Sequence, residues 1–334
     1  MDLGTIATWG GVFATSAPAI KASSPIVIKL LDVLSKGMGQ AWRPIGTYLD
    51  TSAQLKALNS IEELTKQTSG NLIIKKGDLE ITVEKQSIEE TAIINLIETS
   101  MKQQINISEI VNEAYQMIES KIGTNYDNIS QKEVSEDWAI RFFDICKNIR
   151  DEELKHLWSA LLADETINPG SYSLRTLELL KNMSKTEAEL FRNFVNLSFQ
   201  THSLIIIPDD TDSLKSIGIS FIDIVMLEEL NLVKRNLTYN IPSGDNDIFM
   251  FGNEKCLIIE NNTDKKLAFG MLKLTAVGSE LYKLVDRESN INYINIAGQA
   301  IKHINNELDI YYTTGHLNDD GSITYNTNLI PITA

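Results

Sequence analysis

Four consecutive helical patterns joined by short connections occupy residues 135–198, and they constrain the fold more than any other feature. Their apolar residues recur every three or four positions, the spacing that places side chains on one helix face. The last pattern begins with the capping box Ser184–Glu187. Because short loops make successive helices antiparallel neighbours, these residues predict a helical bundle. We expect the second helix to bury Leu154, Leu157, Trp158, Leu161 and Leu162.

Strand signals lie on both sides of this bundle. Residues 72–84 alternate around Gly77-Asp78 and predict a β-hairpin, followed by one helix from Ser87 and another after Ser108. From residue 203 onward, short apolar runs alternate with helical patterns. Their order, helices followed by a hairpin and a flanking helix, favours a winged-helix-like unit. The predicted fold class is therefore mainly α with a smaller α+β part, a helical bundle followed by a winged-helix-like unit.

These patterns divide the chain into five predicted segments. They are an apolar N-terminal helical head (1–70), a β-hairpin with connecting helices (71–134), the bundle core (135–200), the winged-helix-like α+β unit (201–290) and a C-terminal helix with an extended tail (291–334). We expect the bundle core to be the centre of stability, since it holds the large aromatic side chains Trp138, Phe142 and Trp158.

The head carries a helix that is apolar over most of its circumference. Ser24-Pro25 is a helix start, and the charged residues through residue 36 are Lys29, Asp32 and Lys36, which form one stripe at helical spacing. Such a helix must be covered, either by the body of the protein or by a membrane surface or partner. For the second alternative the predicted contact residues are Trp9, Phe13, Ile26, Val27, Leu30, Leu31 and Leu34.

Charge is distributed unevenly between the head and the rest of the chain. Residues 1–49 hold four cations and two anions, a net charge of +2. Because the whole chain has a net charge of −15, the remaining residues carry −17. No basic residue precedes Lys21, and residues 3–20 fall short of the ~20 strongly apolar residues of a spanning helix. We therefore expect a cytoplasmic protein, with peripheral attachment to the inner membrane as the alternative.

Motifs that carry catalysis are missing from the sequence. It has no phosphate-binding loop, no nucleophile elbow, no paired metal-binding histidines and no zinc spacing around Cys146 and Cys256, so neither metal nor cofactor is predicted. One anion contact is conceivable at the helix start after Pro169-Gly170, through Ser171, Ser173 and Arg175. The alternative is an ordinary serine cap, with Arg175 paired to a neighbouring acid.

Several sequence features resemble a known family. They are Asp137-Trp138, Phe142-Phe143, Asp151–Leu154, Leu157-Trp158, Leu161–Ala163, Pro169–Thr176, and outside the bundle Gln103–Ile110, Leu227–Val233 and Leu274–Gly278. This set is similar to the uncharacterised bacterial family called domain of unknown function 2806, over about residues 100–285. The resemblance implies a bacterial, non-secreted protein and transfers no catalytic residue. Residues 39–44 also resemble the N-terminal pattern of abortive-infection alpha proteins, an association with phage defence.

Three functional hypotheses follow. The first is a non-enzymatic sensor or effector, in phage defence, acting on a partner protein, on its own subunits as a homo-oligomer, or on a membrane through the apolar head. The second is a winged-helix transcription regulator, although residues 184–288 hold 11 cations and 16 anions, a net charge of −5 that disfavours nucleic acid. The third is an enzyme with a dispersed active site, for which no small-molecule substrate is identified.

Overall fold

The protein divides into two compact units in this computed structural model, Met1–Leu177 and Glu178–Ala334. The residues that the structure describes are 25–38, 70–75, 78–83, 88–123, 126–201, 204–244, 247–285, 287, 291–318 and 322–333. A helical region precedes an antiparallel sheet, which confirms the predicted class of a mainly helical protein with a smaller α+β part.

The described residues of the first unit form helices apart from one hairpin. Its described elements are α1 (Pro25–Met38), β1 (Gly70–Lys75), β2 (Asp78–Val83), α2 (Ile88–Ile122), a 3-10 turn (Tyr126–Asn128), α3 (Glu136–Cys146), α4 (Glu152–Ile167) and α5 (Leu174–Asn182), which continues into the second unit. The predicted hairpin is confirmed, because β1 and β2 pair antiparallel with Lys75 opposite Asp78.

Helix α2 corrects the prediction of two helices in this region. Ser108 suggested a new N-terminus, but α2 runs through it without interruption for 35 residues. Ser108 is buried in the helix, so it does not act as an N-cap exposed to solvent. Contacts with neighbouring helices maintain the helix across the polar stretch at residues 102–106, where the sequence pattern weakens.

The core of the first unit is an aromatic cluster centred on Phe142. Its ring stacks on Trp138 with centroids 4.9 Å apart, meets Phe143 edge-on at 5.2 Å and lies 5.3 Å from Trp158. Helix α1 packs closely on α3, where a Cβ added at Gly37 would lie 2.3 Å from Phe143. A glycine at this point therefore permits the close approach of α1.

Helices α2 and α4 lie side by side and run in the same direction, because partner residues rise together along both, from Glu109–Lys155 to Lys121–Asp164. The predicted face of α4 is confirmed at Trp158, Leu161 and Leu162, which are buried, and it is wrong at Leu154, which is exposed. Lys155 and Ser159 are also buried, against α2. The periodicity of apolar residues could not predict the burial of these two, since both are polar.

The second unit combines helices with a nine-stranded sheet. Its described elements after α5 are α6 (Lys185–Val195), β3 (Phe199–Thr201), β4 (Leu204–Pro208), α7 (Thr211–Ser216), α8 (Phe221–Glu229), β5 (Val233–Ile241), β6 (Ile248–Gly252), β7 (Lys255–Glu260), β8 (Leu267–Leu274), α9 (Ala276–Tyr282), α10 (Ile291–Ile304), β9 (Asp309–Leu317), β10 (Ile323–Tyr325) and β11 (Ile330–Pro331). The capping box predicted at Ser184 and Glu187 is present at the start of α6.

The strands follow the order β10-β9-β7-β6-β3-β4-β8-β5, and β11 pairs with β9. All pairs are antiparallel. Strand β9 was not predicted, although it pairs with β7 along six residues from Lys255 to Glu260. The predicted extended tail instead contributes β10 and β11 to the same sheet. Of the four predicted bundle helices, α3 and α4 belong to the first unit, α6 belongs to the second, and α5 spans the boundary at Leu177.

The segment Leu274–Gly278 joins β8 to α9 through a dense local arrangement. The Thr275 hydroxyl donates to the carbonyl of Asn231 at 2.6 Å and accepts from the Gly278 N–H at 3.0 Å. A Cβ added at Gly278 would lie 2.2 Å from the Leu232 carbonyl oxygen. Threonine and glycine are thus required by one close approach between a helix start and the turn before β5.

Candidate functional site

Lys155 lies in the contact between α2 and α4 and is almost completely buried. Its ammonium group binds Glu109 at 2.5 Å and Glu152 at 3.0 Å. Burial lowers the pKa of Lys155, but the hydrogen bonds to Glu109 and Glu152 outweigh burial and raise this pKa above its ordinary value. Lys155 is therefore a protonated link between helices rather than a nucleophilic amine.

Glu113, His156 and Ser159 lie next to this lysine and contain the residue types of a catalytic triad. One Glu113 oxygen lies 2.6 Å from His156 Nδ1, and the other accepts from the Ser159 hydroxyl at 2.8 Å. The same hydroxyl lies 2.8 Å from the Lys155 carbonyl oxygen, so it faces two acceptors rather than an imidazole nitrogen. A nucleophilic serine must also reach its substrate, whereas the Ser159 side chain is fully buried. The arrangement joins two helices.

The predicted anion contact lies in the loop between α4 and α5, where an internal carboxylate already occupies the backbone donors. Glu165 accepts from the Gly170 N–H at 2.6 Å and the Tyr172 N–H at 3.1 Å. Burial raises the pKa of the Glu165 carboxyl, and the backbone hydrogen bonds oppose this effect. An external anion would therefore depend on the predicted side chains and on other backbone donors.

Those side chains have separate surroundings. The Ser171 hydroxyl donates to the Asn168 carbonyl at 2.7 Å, and Ser173 shares a hydrogen bond with Thr176 at 3.2 Å. Arg175 is exposed. Arg175 thus has its charged group at the surface, whereas the hydroxyls of Ser171 and Ser173 form hydrogen bonds within the loop. The anion contact of Ser171, Ser173 and Arg175 stays a prediction.

A polar cleft of about 350 Å³ lies between the middle of α2 and the loop that joins α3 to α4. Its described lining consists of Asn95, Thr99, Lys102, Gln103, Asn106, Lys147, Asn148 and Arg150. Three of these side chains are cationic, four are amides and, among the described residues, none is acidic. No pattern in the sequence predicted this site, because its two walls are about 45 residues apart along the chain and each is an ordinary polar stretch.

Three of the residues predicted to contact a membrane or partner are buried inside the protein. Ile26, Leu30 and Leu34 are buried within the protein, as is Val33. Trp9 and Phe13 and the side chains of Val27 and Leu31 lie outside the described residues. Ile28, on the same helix, is 59% exposed. Contact of Ile26, Leu30 and Leu34 with lipid would therefore require α1 to leave its place against α3.

Helix α8 presents an exposed apolar pair at its start. Phe221 is 53% exposed and Ile222 is 71% exposed, and both follow the capping residue Ser220. The Arg235 guanidinium lies 4.6 Å from the centre of the Phe221 ring and 3.6 Å from Glu228. The pair was visible in the sequence as an excess of apolar residues over one helix face, but periodicity did not indicate which of them remain exposed.

The cysteines and acids elsewhere do not add a reactive centre within the described part of the chain. Burial raises the pKa of Cys256 to about 12 and that of Cys146 higher still, which suppresses both thiolates. No group of three histidine, cysteine, aspartate or glutamate residues is arranged to hold a metal ion in these ranges. The helices described there also include none with the length and apolar character needed to cross a membrane.

The fold and these sites define a two-unit protein, helical in its first unit and built on an antiparallel sheet in its second. The chain belongs to the DUF2806 family, described as protein of unknown function, whose model matches residues 90–297. The match contains both the polar cleft and α8, and it confirms the family resemblance found in the sequence. No curated protein and no solved structure matches the chain.

Proposed function

We propose that this protein is a non-enzymatic sensor or effector that acts by contact with a partner protein. The exposed surface of α8 carries this proposal, because it combines the apolar pair Phe221 and Ile222 with acidic residues further along the helix. Exposed apolar side chains with a charged border are typical of protein-binding surfaces. A partner that fits this surface has an apolar pocket bordered by basic side chains. Phage defence is the setting that the sequence resemblance suggests.

We also propose that the second unit has a winged-helix-like arrangement, which would give α8 a recognition role. In this interpretation α6, α7 and α8 are the helices, the adjacent strands β4, β8 and β5 form the wing sheet, and β3 joins that sheet to the inserted hairpin β6–β7. Helix α8 then takes the place of the recognition helix of DNA-binding proteins. Its charged residues are Asp223, Glu228 and Glu229, and it contains no lysine or arginine. An acidic helix favours a protein partner over nucleic acid, because it repels the phosphate groups of nucleic acid.

Site-specific photo-crosslinking in bacterial cells tests this proposal. A benzophenone amino acid at position 222 should give a discrete crosslinked product, whereas the same probe at Lys215, an exposed residue of α7, should not. The product should weaken when Phe221→Ser removes the neighbouring ring or when Glu229→Lys reverses the charge on the same helix. Equal products from both positions, or a product at position 222 that neither substitution changes, would rule out recognition through α8.

The alternative of a transcription regulator leads to a second prediction. The sequence suggests one basic patch in this unit, from Lys234, Arg235, Lys265 and Lys266. Strand pairing instead places Lys234 opposite Lys273, at the other end of β8 from Lys265 and Lys266. Arg235 is engaged with Phe221 and Glu228, and Lys265 binds Glu307 at 2.6 Å. We therefore expect weak or no sequence-specific DNA binding by the full chain, measured by fluorescence anisotropy. Tight binding to one duplex at physiological salt, with a steep loss as salt rises, would favour the regulator instead.

Contact with a membrane, or between subunits of a homo-oligomer, through residues 1–49 is a further proposal. It depends on the positive charge of this segment and on the exposed Ile28. The burial of Ile26, Leu30 and Leu34 counts against lipid contact by that face of α1. An enzyme with a dispersed site gains no support from the polar groups between α2 and α4, because those groups bind one another.

A further inference from the structure

We propose that the polar cleft of the first unit binds a small organic phosphate, of about the size of a mononucleotide. This site is independent of partner recognition by α8. Its volume of about 350 Å³ lies at the lower end of the range for small-molecule sites. Such a volume suits one phosphate-bearing ligand rather than a long polymer.

The charge of the cleft is opposite to that of the chain. Lys102, Lys147 and Arg150 line it, in a protein whose net charge is −15. Lys147 also binds Asp144 at 2.6 Å, and none of the described residues that line the cleft is acidic. Because a concave surface focuses the field of its charges, a small anion is attracted here even though the whole protein repels it.

Two hydrogen bonds fix the walls of the cleft before any ligand arrives. Gln103 Nε2 donates to Asn148 Oδ1 at 3.0 Å, and Asn106 Nδ2 donates to the Lys147 carbonyl at 3.0 Å. Both connect α2 to the loop between α3 and α4. A site with fixed walls loses little conformational entropy on binding, which is the general advantage of preorganisation.

The side chains in the cleft suit a phosphate ligand that also carries polar groups. A guanidinium such as that of Arg150 offers a planar pair of donors that matches two phosphate oxygens, and the lysines add point charges. Each primary amide has two N–H donors and one acceptor oxygen, so the amides retain hydrogen-bonding capacity beyond their bonds to the opposite wall. Hydroxyl groups or the edge of a base can use that capacity.

Thermal unfolding and calorimetric titration of the full chain at low salt test this proposal. Millimolar AMP and pyrophosphate should raise the melting temperature, since a ligand that binds only the folded state stabilises it, whereas adenosine should not. Lys102→Gln combined with Arg150→Gln should weaken AMP binding by about tenfold or more, because charge-assisted hydrogen bonds are lost. Arg150→Lys, which retains the charge, should bind AMP more tightly than Arg150→Gln.

The matched control removes the same two charges elsewhere. Arg192→Gln combined with Lys215→Gln changes two exposed residues of the second unit and should leave AMP binding unchanged within about twofold. Equal loss in both double variants would reduce the effect to net charge and overturn the proposal. So would equal effects of AMP and adenosine, no effect of any phosphate, or much tighter binding of a single-stranded oligonucleotide than of AMP.

Discussion

Replacing either Phe142 or Trp158 by alanine should unfold most of the first unit or make the protein insoluble. Both side chains are buried completely, and Phe142 contacts three other aromatic rings. Truncating a buried aromatic residue costs about 3–5 kcal/mol, from lost transfer free energy and the cavity left behind. This cost is a large part of the ~5–15 kcal/mol that stabilises a typical protein. Urea and thermal unfolding followed by circular dichroism measure the loss.

Each substitution has a control on the same helix. Leu154→Ala on α4 and Ile140→Ala on α3 truncate side chains that are 40% and 45% exposed, so both should cost much less. The loss of stability caused by Leu154→Ala is informative, because the sequence pattern predicts Leu154 in the core and the structure places it at the surface. If Leu154→Ala destabilised the protein as much as Trp158→Ala, the orientation of α4 in the structure would be wrong.

Local signals in the sequence mark several element boundaries. The capping box at Ser184 marks the start of α6, and Thr275 caps α9 through the Gly278 N–H. The alternating pattern at residues 72–84 predicted the hairpin of the first unit equally well. These signals succeed because a cap or a turn is decided by residues within a few positions of one another.

Long-range contacts decided the features that the sequence did not reveal. Burial of Lys155 and Ser159 depends on Glu109 and Glu113, which lie 46 residues earlier on another helix. Without those partners the two residues would be expected at the surface, where Leu154 lies instead. The polar cleft arises in the same way, since neither α2 nor the loop after α3 predicts its opposite wall.

Strand β9 is an element near the C-terminus that local sequence patterns did not predict. Its residues Asp309–Leu317 contain two tyrosines and two threonines in succession, a β-type composition. Nevertheless, no strand was predicted for this segment, which lies between the C-terminal helix and the extended tail. Its place became definite only through pairing with β7, whose residues are buried at four of six positions. A strand can complete a sheet from a distant position in the sequence, and no local pattern identifies its partner.

Helix α1 yields the last prediction, which separates a core role from a membrane role by two substitutions on one helix. Val33 is completely buried, so Val33→Asp should cost about 3–5 kcal/mol by placing an unpaired carboxylate in an apolar environment. Ile28 is 59% exposed, and Ile28→Asp should change stability by no more than about 0.5 kcal/mol. Thermal unfolding of both full-length variants measures the difference.

Flotation of the same two variants with phosphatidylglycerol vesicles completes the test. If α1 is part of the core, Ile28→Asp behaves like the unchanged protein in both assays and Val33→Asp loses folded structure. Membrane contact through α1 predicts instead that Ile28→Asp reduces flotation, because a new carboxylate on the exposed face is repelled by an anionic surface. Flotation of the unchanged protein that Ile28→Asp abolishes, without loss of stability, would therefore assign the exposed face of α1 to lipid and leave only its buried face to the core.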